Sequence, residues 1–403
     1  MQKNYRCPGC GATIEFLPET GKMYCKYCGN SYTPEEIAAR ERKTESAVKT
    51  GEKPSKIKMN ILHCRSCDGE LACNDLETSS FCPYCGQATV VLDRVEECMR
   101  PDYILPFKVT QEEAENIIRK KISSGFYIPK EIKEFKTEKL RGIYIPYWLY
   151  DMYYGDEQVW KYKVSKGKNV VTRYAYRLAE ADYHNLTIDA SKRLDNDTSE
   201  RLDPYDTGEM KEFDPVYLSG FYSDRFDVGY GMADGTAVSR AGELFTESVE
   251  TTIEKKKKKE LYYTSPVHNI TKREYALLPA WFLTFSQDGV PHTLLVNGQT
   301  GKMIGAVPCE KKRAGITFAL LAIAFCATLI PLLFFALNFF NPMLEGFGED
   351  AIEAFIGIVS GMVLISVHFW RLAIKKHIAY NDSIRLTQST VTNMYVKERQ
   401  DKE

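Results

Sequence analysis

Apolar and polar positions change their period several times along this 403-residue chain, and the changes mark out its elements. Behind a capping box at Thr110 and Glu113, the apolar positions Ala114, Ile117, Ile118 and Ile122 fall on one helical face. Before them, residues 103–107 read as a strand. The aromatic run GIYIPYWLYDMYY (residues 142–154) reads as another. Residues 157–164 and 170–181 alternate Val and Tyr with charged residues, which predicts two strands joined by a turn at 165–169, and residues 183–190 predict a further short strand. After the segment 218–225 a helix is expected over 237–256. Residues 276–285 and 290–296 then form a hairpin, and residues 301–307 close the sheet. The pattern over residues 100–310 is that of an α+β cytoplasmic domain with a mostly antiparallel sheet.

Beyond it the pattern stops alternating. Residues 315–340 carry no charge, and the apolar run 355–370 continues to 374 with one arginine. At about 1.5 Å per helical residue each can cross a hydrocarbon core of about 30 Å. The expectation is a two-helix transmembrane hairpin over residues 311–378 and a cytoplasmic tail over 379–403. Lys311, Lys312 and Arg313 precede the first span, Arg371, Lys375 and Lys376 follow the second, and the connector 341–350 has no lysine or arginine. Positive-inside bias places both termini in the cytoplasm of a multi-pass cell-membrane protein. No apolar segment of signal-peptide type precedes the first cysteines, which agrees with that orientation. With no stripe of ionisable residues, the two spans read as an anchor.

The N-terminal part has too little apolar sequence for a core and has cysteines instead. Cys7-x2-Cys10 is followed after fourteen residues by Cys25-x2-Cys28, and the same spacing recurs in Cys64, Cys67, Cys82 and Cys85. This is the pattern of two zinc ribbons, residues 1–33 and 61–99, separated by a helix and polar linker over 34–60. Thr33 caps the helix and Pro34 occupies its first turn. Two zinc ions per chain are expected, each held by four thiolates, and a four-cysteine site has no open position for water or substrate. Gly11, Gly29 and Gly86 follow the second cysteine of their pairs, where the backbone needs a positive φ, and Asp68-Gly69 supplies that turn in the remaining pair. Cys73, Cys98, Cys309 and Cys326 lack ligand spacing and read as free thiols of a reducing compartment. The polar linker leaves the two ribbons free to move relative to each other.

Charge narrows the function. The chain has a formal net charge of −1, and residues 1–100 hold fourteen Lys plus Arg against fourteen Asp plus Glu, so the ribbons offer no overall basic footprint for phosphates. The segment NGQTGK (residues 297–302) lacks the spacing of a phosphate loop and reads as a turn between strands. The lysine run 255–259 reads as a solvated helix end. His184, His268 and His292 stand apart, and no nucleophile, base and oxyanion set can be assembled, so catalytic residues are absent from the expectation and the chain does not read as an enzyme.

The paired ribbons, the segments RPDYILPFKVTQEEA (100–114), LRGIYIPYWLYD (140–151), YLSGFYSDRFDV (217–228) and LLVNGQTGKMIGAVP (294–308), and the terminal hydrophobic hairpin occur together in one chain. The combination resembles the bacterial TFIIB-type zinc-ribbon-containing membrane protein family. The resemblance implies a membrane partner of SPFH-domain or phage-shock envelope-stress proteins. It gives a defined role to the eight zinc cysteines alone and implies no catalytic residue. Two functions follow as expectations. One is a membrane-anchored adaptor that binds or recruits cytoplasmic proteins. The alternative is a membrane-tethered zinc-ribbon nucleic-acid-binding protein, which the neutral ribbons disfavour.

Overall fold

The computed structural model describes residues 5–45, 55–73, 82–87, 90–123, 128–166, 169–192, 196–253, 258–287, 290–305 and 391–398, with isolated positions between 310 and 368. In order, the elements are β1 (Glu15–Leu17), β2 (Lys22–Tyr24), β3 (Ser31–Tyr32), α1 (Pro34–Glu45), β4 (Lys56–Cys64), β5 (Glu70–Cys73), β6 (Val90–Met99), β7 (Tyr103–Ile104), α2 (Gln111–Ser123) and α3 (Lys130–Lys133). They continue with β8 (Leu140–Lys166), β9 (Asn169–Asp189), α4 (Asn196–Leu202), β10 (Lys211–Glu212), β11 (Tyr222–Ser223), α5 (Tyr230–Thr251), β12 (Lys259–Gln287), β13 (Val290–Asn297), β14 (Met303–Ile304) and β15 (Val391–Glu398). The chain divides into two compact units. One comprises Met1–Ile118, Lys136–Ile304 and Ile384–Glu403, and the other Arg119–Phe135 and Gly305–Ser383. In the second unit the Arg119 guanidinium lies 4.4 Å from the Phe135 ring and donates to the Phe135 carbonyl at 3.1 Å.

The first unit is a multidomain assembly of two cysteine-rich clusters and a β-rich sheet. Its frame is three long strands, with β8 antiparallel to β12 on one side and to β9 on the other. Among the described residues, parallel pairing is confined to two-residue contacts of β11 with β8 and of β7 with β12. Ile143, Tyr147, Leu149, Leu278, Phe282 and Leu295 supply the core. Two of the buried tyrosines satisfy their hydroxyls inside the core, as burial favours. Tyr183 donates to the Ala241 carbonyl at 2.9 Å, and Tyr147 accepts from Ser199 at 2.8 Å. Helix α5 lies on the sheet through its small residues Ala233, Ala237 and Ala241, four apart and fully buried.

Several expectations change here. The strands expected at 142–154 and 157–164 are one strand, because Gly155 and Asp156, which read as a break, sit inside the sheet. Asp156 is buried there and accepts from Thr264 Oγ1 at 2.6 Å, Ser265 N at 2.7 Å and Gln158 Nε2 at 2.8 Å. The strands at 170–181 and 183–190 likewise merge into β9. The hairpin strand expected from 276 begins at Lys259, since its first half is an exposed polar stretch without an apolar signature. The helix expected over 237–256 is Tyr230–Thr251, beginning earlier across Gly231 and Gly235 despite their low propensity. Lys259 of the lysine run is not a solvated end: its Nζ donates to the carbonyls of Glu250 at 2.6 Å and Ile253 at 3.1 Å, capping α5. Only Tyr103–Ile104 of the strand expected at 103–107 forms. Both capping boxes are present: Thr33 and Glu36 exchange bonds of 3.2 and 2.9 Å, and Thr110 and Glu113 bonds of 3.0 and 2.9 Å.

Among the described residues no helix is long and apolar enough to cross a membrane. The expected hairpin over 311–378 lies outside the described residues except for isolated positions. Within the segment expected as a tail, Val391–Glu398 forms β15, which pairs antiparallel with Arg177–Tyr183 of β9.

Candidate metal centres

Each cysteine pair forms a knuckle with one repeated hydrogen-bond pattern. The first cysteine's N–H donates to the carbonyl five residues on, in Cys7 to Ala12, Cys25 to Asn30, Cys64 to Gly69 and Cys82 to Gln87, at 2.7–3.0 Å. Its carbonyl accepts from the residue four positions on, at Gly11, Gly29, Asp68 and Gly86, at 2.8–2.9 Å. These four residues have positive φ: 75°, 76°, 60° and 72°. A side chain is strained there, which is why three are glycine and the fourth is Asp, a residue that tolerates the left-handed region. Asp68 also meets His63 Nε2 at 2.6 Å.

The knuckles bring the sulfurs together as two groups, Cys7, Cys10, Cys25 and Cys28, and Cys64, Cys67, Cys82 and Cys85, with the ligand atoms of each group within 4.8 Å of one another. In the first, Cys7 Sγ lies 3.5 Å from Cys28 Sγ, and Cys10 Sγ lies 3.5 Å from Cys25 Sγ. The corresponding pairs in the second, Cys64 with Cys85 and Cys67 with Cys82, are 3.7 Å apart. A tetrahedron with metal–sulfur bonds of about 2.3 Å has edges of about 3.8 Å. Both groups therefore have the size of a four-sulfur metal site. The first cysteine of every pair is buried, and the second is exposed in three of the four knuckles.

Crowding divides the acidities of these thiols. Burial opposes ionisation of Cys7, but N–H groups of Gly9 and Cys10 and the Cys28 sulfur hold it down at about 6. Cys10 is pushed up to about 12, where desolvation and three facing sulfurs outweigh the Ala12 N–H. Burial pushes Cys67 up to about 11, and Cys82 is also raised, again chiefly by burial. Four thiolates in this space need a cation among them, so metal uptake releases protons.

The two groups are mounted differently. The first sits on the three-stranded sheet β1–β2–β3, whose core is Ile14, Phe16 and Met23. It rests on the 3-10 turn Pro215–Leu218: Phe16 N donates to Ser219 O at 3.2 Å, the Phe16 and Tyr217 rings meet edge-on at 5.5 Å, and Tyr217 OH donates to Glu35 at 3.1 Å. The ribbon expected to move freely is thus docked, while residues 46–54 of the linker lie outside the described residues. The second group belongs to the large sheet itself. β4 pairs with β5 and β6, and β5 pairs with β11, which joins them to β8 in a 12-stranded sheet. Its second knuckle seats on β12, where Thr284 Oγ1 donates to the Pro83 carbonyl. Arg225 ties this arrangement down, bonding Glu70 and Glu96 at 3.0 Å each.

All eight expected ligand residues are brought together as the sequence grouped them. What the sequence did not reveal is their surroundings: Tyr32 OH at 3.8 Å from Cys7 Sγ, Gly9 N at 3.4 Å from the same sulfur, and Thr284 beneath the last knuckle. Cys73 is buried in the core, and burial pushes the Cys98 thiol up. The segment 297–302 is a turn in which Asn297 Oδ1 accepts from Gln299 N and Thr300 N at 2.8 and 2.9 Å, and Lys302 points to the carbonyls of Arg201 and Asp203. His184, His268 and His292 lie on β9, β12 and β13 respectively.

No protein-family model matches the chain, and no solved structure matches it. The chain is similar to a distant bacterial relative, the Bacillus subtilis (strain 168) "Uncharacterized protein YdjG", at 27% identity over 338 residues, covering 78% of this chain and 93% of that protein.

Proposed function

We propose that the chain is a membrane-anchored zinc-ribbon adaptor of the TFIIB-type zinc-ribbon membrane proteins it resembles, binding cytoplasmic proteins through its ribbons and sheet. The observation that carries this reading is the closed geometry of both cysteine groups. Four sulfurs at tetrahedral spacing fill the coordination of one zinc each, so the centres hold surfaces in shape and leave no site for substrate. An all-thiolate tetrahedral donor set supports zinc over hard cations such as magnesium or calcium.

The anchor is supported by the charge-free run 315–340 and by large apolar residues, Ile316, Leu320, Ile323, Ile330 and Phe334, that stand exposed. The pairing of β15 with β9 supports a two-crossing topology. Because residues 391–398 add a strand to the sheet that contains residues 140–304, any membrane crossings between 304 and 391 must be even in number.

The test is crosslinking of the full chain in native membranes, followed by identification of what is captured, beside the Cys25→Ser variant. The adaptor reading expects a protein partner whose yield falls in the variant. Recovery of nucleic acid in place of protein would move the function to the membrane-tethered nucleic-acid binder.

A further inference from the structure

Alternation along a strand sends every second side chain to one face. Ile57 and Met59 of β4 and Tyr275 and Leu277 of β12 alternate in this way, and with Phe213 and Phe226 they line a cavity of about 250 Å³. The cavity lies where β4 and β6, the strands on either side of the second cysteine group in sequence, meet β11 and β12 of the large sheet.

The charges on its wall are already matched. Arg225 bonds Glu70 and Glu96 at 3.0 Å each, Asp224 accepts from Ser191 Oγ at 2.6 Å and from Arg225 N at 2.8 Å, and Lys58 Nζ lies 3.9 Å from Glu97. An ionised guest would therefore lose its water without gaining a free counter-charge. One polar group is left over. Tyr275 is 4% exposed, and its hydroxyl has no hydrogen-bond partner among the described residues. Burial, then the Asp224 carboxylate and the Cys98 sulfur on the same wall, pushes its pKa up, so it stays a phenol with a proton to donate and nothing to accept it. A buried donor in that position calls for an acceptor supplied from the cavity.

The rings on the wall narrow the guest further. Tyr275 and Phe226 meet edge-on with centroids 5.4 Å apart, and Phe213 faces the same space. Aromatic guests pack on such edges and faces, whereas water gains few bonds beside them. A dry cavity of about 150 Å³ admits benzene, so this one has room for two fused rings. From the unmatched donor, the matched charges and the rings, we infer that the cavity binds a neutral aromatic molecule of up to two fused rings whose oxygen accepts a hydrogen bond from the Tyr275 hydroxyl. The inference is independent of the adaptor reading and of the anchor.

The test uses the half-buried Cys98 thiol on the cavity wall as reporter. Its rate of alkylation by N-ethylmaleimide is followed on the full chain by mass spectrometry, with 2-naphthol, naphthalene or 2-naphthoate added. At about five times its Kd, 2-naphthol should slow the reaction about sixfold. Tyr275→Phe removes a hydroxyl that bonds nothing in the protein, so the fold should persist. It should raise the half-protecting concentration of 2-naphthol about tenfold and leave that of naphthalene, which has no oxygen, unchanged. The charged 2-naphthoate should not protect. Alkylation unaffected by 2-naphthol would mean a cavity that holds water alone and overturns the inference. So does a Cys98 that fails to react in the free chain, because N-ethylmaleimide is no larger than the probes and the cavity would be closed to them. Stronger protection by 2-naphthoate than by 2-naphthol overturns it by making the site one for anions. Equal losses for 2-naphthol and naphthalene in Tyr275→Phe overturn it by removing the hydroxyl as anchor.

Discussion

At Gly86 two constraints meet in one residue. Its φ is +72°, and a Cβ there would lie 2.7 Å from the Thr284 carbonyl oxygen, whereas Gly11 and Gly29 share the positive φ but have nothing within 4 Å. Gly86→Ala should therefore destabilise the second cluster by about 2–4 kcal/mol, combining backbone strain with overpacking. Gly11→Ala and Gly29→Ala should cost about 1 kcal/mol each. Chelator concentration at half metal loss reads the difference, and equal effects at the three sites would refute the seating on β12. Asp189 offers a second residue-level outcome. Desolvation raises its carboxyl from 3.8 to about 8, its Oδ1 accepts from Ser191 N, and Oδ2 has no partner among the described residues. A proton held in the folded state and lost on unfolding stabilises the fold fully at acid pH, and that contribution fades as pH rises toward about 8. Stability should fall by up to about 1.4 kcal/mol per pH unit between about pH 5 and 7 from this group, and Asp189→Asn should flatten the slope of denaturation midpoint against pH. The knuckle residues, down to the positive φ at Asp68, were legible because their geometry is local. Thr284 and Asp189 were not, since the contacts that give them meaning come from distant parts of the chain.

Elements were legible where one apolar face marked them. Helix α2 with its capping box and the turn at 297–302 needed nothing beyond neighbouring residues. The long strands β8, β9 and β12 were read in pieces, because Asp156 and the polar first half of β12 look like interruptions until their partners across the sheet are known. Cluster mounting was equally hidden, and it predicts unequal consequences of metal loss. Cys25→Ser should remove one ion and disorder β1–β2–β3 while the large sheet persists, because that ribbon has its own sheet and few contacts. Cys82→Ser should also remove one ion but loosen β4, β5 and their junction with β11, lowering the denaturation midpoint of the large sheet. Metal analysis with hydrogen exchange on β4 and β12 separates the two. Identical exchange in both variants would show that the second cluster is as autonomous as the first.

For the whole molecule the informative link is β15. A chain ending at residue 304 loses the expected anchor and β15 together, leaving residues 177–183 of β9 as an open edge. That fragment should leave the membrane but self-associate, whereas a chimera with a flexible linker in place of 311–383 should leave it and stay monodisperse in light scattering. A chimera that remains in the membrane would refute the anchor, and one that aggregates like the fragment would refute the protective role of β15. The three-part plan of ribbons, sheet and apolar segment was visible in the sequence, but a strand returning from beyond residue 390 was not, because its pairing depends on β9 and not on its own pattern. The same pairing orders events in time. About two hundred residues separate β9 from β15, so at elongation rates of about 5–20 residues per second the ribosome needs roughly 10–40 s to supply the missing neighbour. During that interval the nascent sheet waits with one edge bare while the apolar segment emerges, and whatever shields that edge decides whether the chain closes on itself.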